Sequence, residues 1–535
     1  MDIKQVRETA DRLFGKRHQF MSLCQELAEN FYPQRADFTS THSIGEEFAG
    51  NLMTSYPVLT RRDLADQIGS MLRPTNKPWF HMKPSDEDRE TNDAKRWLEQ
   101  AEKAQRRVMY DKRAMFTRCT KEGDHDFAAF GNAVESVRLN RNADGLIYRC
   151  WHVRDVVWME NDEGENEFIA RRWKPYARDL ANLFPGKVDP KVNDKARKEP
   201  YFEMDVLHII ISADQYEGDA QGKPYWSIYY DCTHDKPIEM VPVWNKEYNI
   251  SRWQTVSGSQ YAYSPASIVA LPDARLIQSM TYTLLEAGEK AVNPPVIVTQ
   301  DAIRSDMGLY AGGHTWVDNE YDERLGAAMR PLTQDTSALP FGIDMQRDSR
   351  MMISEAFFLN KLNLPERGPE MTAYEVGQRV QEYIRGAMPL FEPMESERNG
   401  GLCELTFDQL FKMGVFGSPY DMPESLQGAD IQFHFESPLH DAIDAQKGQK
   451  FLEAKQLLAE AIALDQSAAA MIDMKVSLRD ALDGIGIPTE WINPEDMVEE
   501  IIEQQQQQMQ QQQMLDAMEQ GSNVAKNLEG VNIEA

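Results

Sequence analysis

Long apolar runs are missing from these 535 residues. A membrane-spanning helix needs roughly 18 such residues in succession, and the longest candidates here, 206–211 and 294–298, are strand-sized. The opening MDIKQVRETADRLF has helical period and no apolar core of a signal peptide, so a cytosol is where the chain is expected to be made. Cysteine is scarce. Cys24, Cys119, Cys150, Cys232 and Cys403 lie far apart with no CxxC pair, which argues against a zinc ribbon or a disulfide framework and for thiols packed as small hydrophobes. The GxxxxGK[ST] loop, HExxH, GxSxG and a GxGxxG after a strand are all absent, so the usual phosphate cradles, zincin sites and nucleophile elbows are not on offer.

Basic charge is also in deficit, with 57 Lys and Arg against 86 Asp and Glu and a net charge of −29. Proteins that grip DNA release counterions by placing Lys and Arg on phosphates. An acidic chain lacks that source of affinity, although its surface remains compatible with DNA sliding past. The plainer alternative is that the excess acid serves solubility. Hydrophobic residues at 41% and charged residues at 27% make an ordinary globular composition.

Helical and strand-like periods alternate along the chain. Ile3, Val6, Ala10, Leu13, Leu23, Leu27 and Phe31 recur at helical spacing, with a break expected at Gly15 and an end at Pro33. Further helices are expected over 60–72, 93–118 and 121–130. The period then shortens at 132–140, 145–159 and 166–173, a pattern that predicts an antiparallel meander. Its first turn, NADG, imitates the start of a calcium loop. The twelfth position of such a loop would be Trp151, which cannot supply the bidentate carboxylate, so the sequence reads as a hairpin turn. Residues 201–264 read as a small β-containing insert, and 264–292 as helix again, with Pro265 near its start and Pro294-Pro295 beyond its end.

Thr372 and Glu375 form a capping box in TAYE, opening a helix interrupted at Gly386 and Pro389, where a kink is expected. From 441 onward nearly every residue favours helix. Asn493-Pro494 opens a final helix into the glutamine run, which as a polar tract also fits disorder. Chemistry-bearing clusters are few. Asp124-His125-Asp126 would diverge on either a strand or a helix, so it reads as structural and not as a metal site. No catalytic residue, metal or cofactor is assigned.

Taken in order, the segments YPQR, IGSMLRPTNKPWFHM, DFAAFGNAVESVRL, RRWKPYARDLANLFP, SPASIVALPDARLIQSM, EMTAYEVGQRVQEYI and MKVSLRDALDGIGIPTEWINPEDMVEEI span nearly the whole chain. The series resembles the head-to-tail connector, or portal, proteins of short-tailed bacteriophages. The resemblance implies an α+β, predominantly helical fold of wing, stem, clip and crown. It assigns 1–175 to the wing, 176–200 to a first stem helix region, 201–263 to the clip and 264–292 to the second stem helix. Residues 293–440 would continue the wing, with a tunnel loop at 363–371 and a long kinked helix at 372–395. Residues 441–520 would be the crown and 521–535 a flexible tail. In the tunnel loop Glu366, Arg367 and Glu370 would face DNA.

The resemblance further implies a homo-oligomeric ring of twelve at one capsid vertex, the head–tail junction of the virion. Double-stranded DNA would pass through it without sequence preference during packaging and ejection. Its partners would be the terminase large subunit, the tail adaptor, and the scaffolding and major capsid proteins, with no membrane and no enzymatic activity. Two other classes stay in view: an internal core or scaffolding protein, and a metal-dependent nucleic-acid enzyme.

Overall fold

The computed structural model describes residues 1–298 except 44, 76 and 90, scattered positions from 303 to 332, residues 339–359, 392–418 and 421–435, and short pieces between 451 and 482. The chain divides into two compact units, residues 1–71 with 109–408 and residues 72–108 with 409–535. The expected kink residues Thr372, Glu375, Gly386 and Pro389, the tunnel-loop residues Glu366, Arg367 and Glu370, and the helix after Asn493 lie outside the described residues.

α1 (Ile3–Lys16) opens on a capping box: Gln5 N–H donates to Asp2 Oδ1 at 2.8 Å, and the Gln5 side chain accepts from Asp2 N–H at 3.1 Å. α2 (His18–Phe31) follows after a break at Arg17, not at Gly15. The cause is long-range. The buried Arg17 guanidinium donates to the carbonyls of Val153 and Val156, each at 2.7 Å, and to that of Arg154, and these bonds fix where the chain must turn. α3 (Tyr56–Leu72) comes next. β1 (Phe80–Pro84) and α4 (Asn92–Met109) then fall in the second unit, but for Met109. The helix expected over 93–118 is interrupted before α5 (Phe116–Phe130). Between them Arg113 N–H donates to Asp111 Oδ1 at 2.8 Å and Met115 takes a φ of 60°. That aspartate bond competes with helical pairing.

The NADG hairpin is present. Asn140 N–H donates to the Gly145 carbonyl at 2.8 Å, and the turn joins β2 (Asn132–Leu139) to β3 (Leu146–Trp151). β4 (Val156–Glu160) and β5 (Asn166–Trp173) form the next hairpin. The expected single meander is nevertheless split. A tight turn at Val153–Asp155 sends the chain from one sheet into another. β6 (Val206–Ser212), β7 (Tyr225–Asp231) and β8 (Lys236–Val243) extend β4 and β5 into a five-stranded antiparallel sheet of order β4-β5-β6-β7-β8. β9 (Tyr248–Arg252) pairs with β2 in a three-stranded sheet of order β3-β2-β9.

Most of the β-rich stretch at 201–263, expected as an insert, therefore shares a sheet with 156–173, with Phe168 opposite Ile211 and Trp173 opposite Val206. A period of two reveals strands but not which strands pair. α6 (Ala177–Leu183) and α7 (Pro190–Lys198) cross between β5 and β6 as two short helices packed by Leu180, Phe184 and Val192 against Val206 and Ile238.

The five-stranded sheet has two different faces, as the pleat requires. On one, Val6 and Ala10 of α1 pack over Phe168, Leu207, Ile209 and Ile228. On the other, Arg171, His208 and Tyr229 stand in one row across β5, β6 and β7. There Arg171 Nε donates to Tyr248 Oη at 2.7 Å. Tyr248 Oη lies 2.6 Å from His208 Nδ1, and His208 Nε2 lies 2.9 Å from Ser227 Oγ.

Burial, then the nearby Arg171 and Arg138, hold the His208 pKa well below the ordinary value of 6.5. Below that value the unfolded chain takes up a proton that the folded chain refuses, so stability is lost as the pH falls through about 6.5, by at most about 1.4 kcal/mol per unit. Urea midpoints at pH 7.5 and 5.5 should diverge more for the parent than for His208→Asn; equal divergence would contradict this.

α8 (Pro265–Val292) runs into β10 (Val296–Val298), which pairs with β11 (Met329–Pro331) ahead of α9 (Leu339–Ala356). Deeper in this unit, Asp124-His125-Asp126 spreads around α5 as expected, each residue meeting its own cation. His125 Nδ1 is 2.7 Å from Arg61 Nη1, Asp126 is held by Arg35 at 3.0 and 2.5 Å, and Asp124 binds Arg398. Arg398 is fully buried in a π-helical turn, Met394–Gly400, ahead of α10 (Gly401–Lys412). It also donates to Glu135 Oε1 and to the Thr120 carbonyl, both at 2.8 Å.

In the second unit β1 pairs with β12 (Ile431–Phe435), and the buried Trp79 stacks on Phe435. Glu102 of α4 accepts from Met82 N–H at 2.6 Å.

Candidate assembly site

The sequence SPASIVALPDARLIQSM starts α8 as anticipated. Ser264 is the N-cap, its Oγ accepting from Ser267 N–H at 3.3 Å, and Pro265 takes the first helical position, where a missing donor costs nothing. Ala270, Leu271, Ala274 and Ile277 bury the first half of the helix. Gln278 fixes the end of that half, accepting from Met53 and Thr54 N–H at 2.7 and 2.9 Å and donating to the Thr54 carbonyl at 3.0 Å. Past this point nothing is buried: from Gln278 to Val298 no residue is enclosed.

α9 runs antiparallel beside it. Gln346 Nε2 donates to Thr281 Oγ1 at 2.7 Å, and a Cβ at Gly342 would stand 2.9 Å from Leu284, so this glycine sets the closest approach of the two helices. Ile353 and the following Phe357 anchor the far end of α9 in the core, Phe357 against Phe31. Residues 176–200 were expected to supply the other stem helix. They form the short α6 and α7 instead, and the long partner of α8 is α9, within a stretch expected to be wing. Its sequence, LPFGIDMQRDSRMMISEA, hides this because its large apolar residues are not on one stripe.

Those residues face outward. Leu285 is 56% exposed, Phe341 68%, Ile343 58%, Met351 60% and Val292 88%. A soluble monomer seldom leaves so many large side chains wet in one place, and such a patch marks a surface that another protein covers. Carboxylates and cations are interspersed, with Lys290 bound to Glu286 at 2.6 Å and Arg275 paired to Glu26. That mixture resembles an interface more than a core. Among the described residues no helix is long and apolar enough to cross a membrane.

Comparison with known proteins follows the same line. A probable portal protein of Bordetella phage BPP-1 is 23% identical over 451 residues, covering 81% of this chain and 78% of that protein. A portal protein of Salmonella phage epsilon15 is 21% identical over 513 residues, covering 92% of this chain and 89% of that protein. Among solved structures, a chain from the virion of a native gene transfer agent particle aligns over 81% of this chain and 90% of its own length. Its identity is 8% and its TM-score 0.34, too distant to support inference. The family model for the bacteriophage head to tail connecting protein matches residues 3–492, and the chain belongs to that family.

Proposed function

We propose that copies of this chain close into a ring at the head–tail junction of a phage virion and that duplex DNA passes through the opening during packaging and ejection. The observation that carries this reading is the α8–α9 pair, which carries large apolar residues that are exposed among the described residues. A closed cyclic ring is built from heterologous contacts, in which one patch of each copy meets a different patch of the next. The helix pair supplies apolar area for such contacts. No catalytic step belongs to this role.

The net charge of −29 fits a passive conduit. An acidic channel wall would hold phosphates off its surface, whereas a basic wall would bind them and make each step a barrier. The family expectation of twelve copies belongs to the proposal, as do the motor, the tail adaptor and the capsid proteins as partners. The docking tip fits residues 293–338, which lie between α8 and α9 in the sequence, better than 201–263, whose strands are built into the five-stranded and three-stranded sheets. Glu366, Arg367 and Glu370 remain the proposed channel-facing residues. Native mass spectrometry of the purified chain tests the reading. A closed species of about a dozen copies is expected, with odd or even numbers near twelve; a monomer under every assembly condition would contradict it.

A further inference from the structure

Three arginines gathered at one side of the three-stranded sheet make no ion pair among the described residues. Ser136 stands opposite both Arg149 of β3 and Tyr248 of β9, and Arg138 is two residues along the same strand, so Arg138, Arg149, Trp151 and Tyr248 share a face. Arg171 reaches this face from the five-stranded sheet. Its guanidinium lies 3.8 Å from the centre of the Trp151 ring and 5.1 Å from that of Trp173, while that of Arg149 lies 5.0 Å from Trp151. Arg171 is 1% exposed, and its Nη1, enclosed, donates to nothing among the described residues.

Indole rings stabilise guanidinium groups but do not neutralise them. Burying a guanidinium without an anion is costly, and three of them together repel one another. Burial, then Arg138 and Arg171, accordingly pull the Arg149 pKa down. Glu247 is the internal acid that feels Arg138 and Arg171, and burial pushes its pKa up against their pull, so one buried carboxylate faces more than one arginine. In a chain with 29 more acids than bases, two arginines stacked on one tryptophan, with a third on the same sheet face, are a place for an anion to arrive.

Its exposure favours a side chain over a polymer backbone. Arg171 is enclosed, Arg138 half-buried and only Arg149 well exposed, so one small anionic group meets the cluster through Arg149. Copies of an acidic chain repel one another in a ring unless basic and acidic patches alternate around it. The complementary patch is the β4–β5 turn, where Asp162, Glu163 and Glu165 are exposed. Glu165 is bridged by Lys246 at 3.4 Å, whereas Asp162 and Glu163 make no ion pair among the described residues. We infer that the Arg138–Arg149–Arg171 cluster receives a carboxylate from the β4–β5 turn of a second copy of this chain. The inference rests on the ring reading above.

A charge-swap cycle on the full chain tests it, with sedimentation velocity reading the ring-to-monomer distribution and circular dichroism reading the fold. Arg149→Glu, and separately Asp162→Arg with Glu163→Arg, are each expected to weaken assembly about tenfold or more, the effect of one lost charge-assisted contact. Combining the swaps should restore most of the assembly. Unchanged rings from Arg149→Glu, or no rescue in the combination, would overturn the inference while leaving the ring reading intact, whereas a parent chain that never assembles would overturn both. Sodium sulfate that quenches tryptophan fluorescence in the parent but not in Arg149→Glu, with rings unaffected, would make this a free-anion site and also overturn it. Duplex DNA retention lost in Arg149→Glu rings that assemble normally would assign the cluster to phosphate instead.

Discussion

Arg398→Met is expected to lower the stability of the first unit by about 3–5 kcal/mol, among the largest effects of any single substitution in this chain. The reason is not the loss of attraction as such. Arg398 is enclosed together with Glu135 and Asp124, and its guanidinium donates to both carboxylates and to the Thr120 carbonyl. Methionine fills much of the same volume, yet it removes the guanidinium from two buried carboxylates. Replacing all three residues by apolar ones of similar size should recover most of the loss, since the charged triad as a whole contributes little against a well-packed apolar alternative. Urea unfolding of the full chain, followed by tryptophan fluorescence, measures both. A loss below about 1 kcal/mol for Arg398→Met would show that the cluster is not closed to solvent.

The second large effect concerns assembly and should leave folding alone. Leu285→Asp with Phe341→Asp places charges on two side chains that are more than half exposed in the isolated chain, so the monomer should melt within about 1 °C of the parent, as surface substitutions do. In a ring each copy has two neighbours, and every interface carries the lesion. Losing a buried anchor costs about 2 kcal/mol or more per interface. Dynamic light scattering is expected to show monomers at concentrations where the parent forms rings. Rings of equal abundance would mean that the α8–α9 surface is covered by something other than a second copy.

Several parts of this account were legible in the sequence because they are local. The Ser264-Pro265 start of α8, the NADG hairpin and the divergence of Asp124, His125 and Asp126 each depend on a few consecutive residues. The ordered series of family segments identified the family itself. What escaped depended on residues far apart. The division of 132–173 between two sheets is set by the pairing of β5 with β6 and of β2 with β9, which no period records. The break at Arg17 is fixed by carbonyls some 140 residues away. The pairing of α8 with α9 was hidden because helices that leave apolar residues in water show no clean stripe. The burial of Arg398 and the gathering of Arg138, Arg149 and Arg171 leave no mark in the sequence, since nothing local distinguishes an enclosed arginine from a wet one.

End-on electron-microscopy class averages of the purified, assembled chain measure the central claim most directly. The account predicts rotationally symmetric particles with an open centre at least as wide as a DNA duplex, about 20 Å. A compact particle closed at its axis would contradict it.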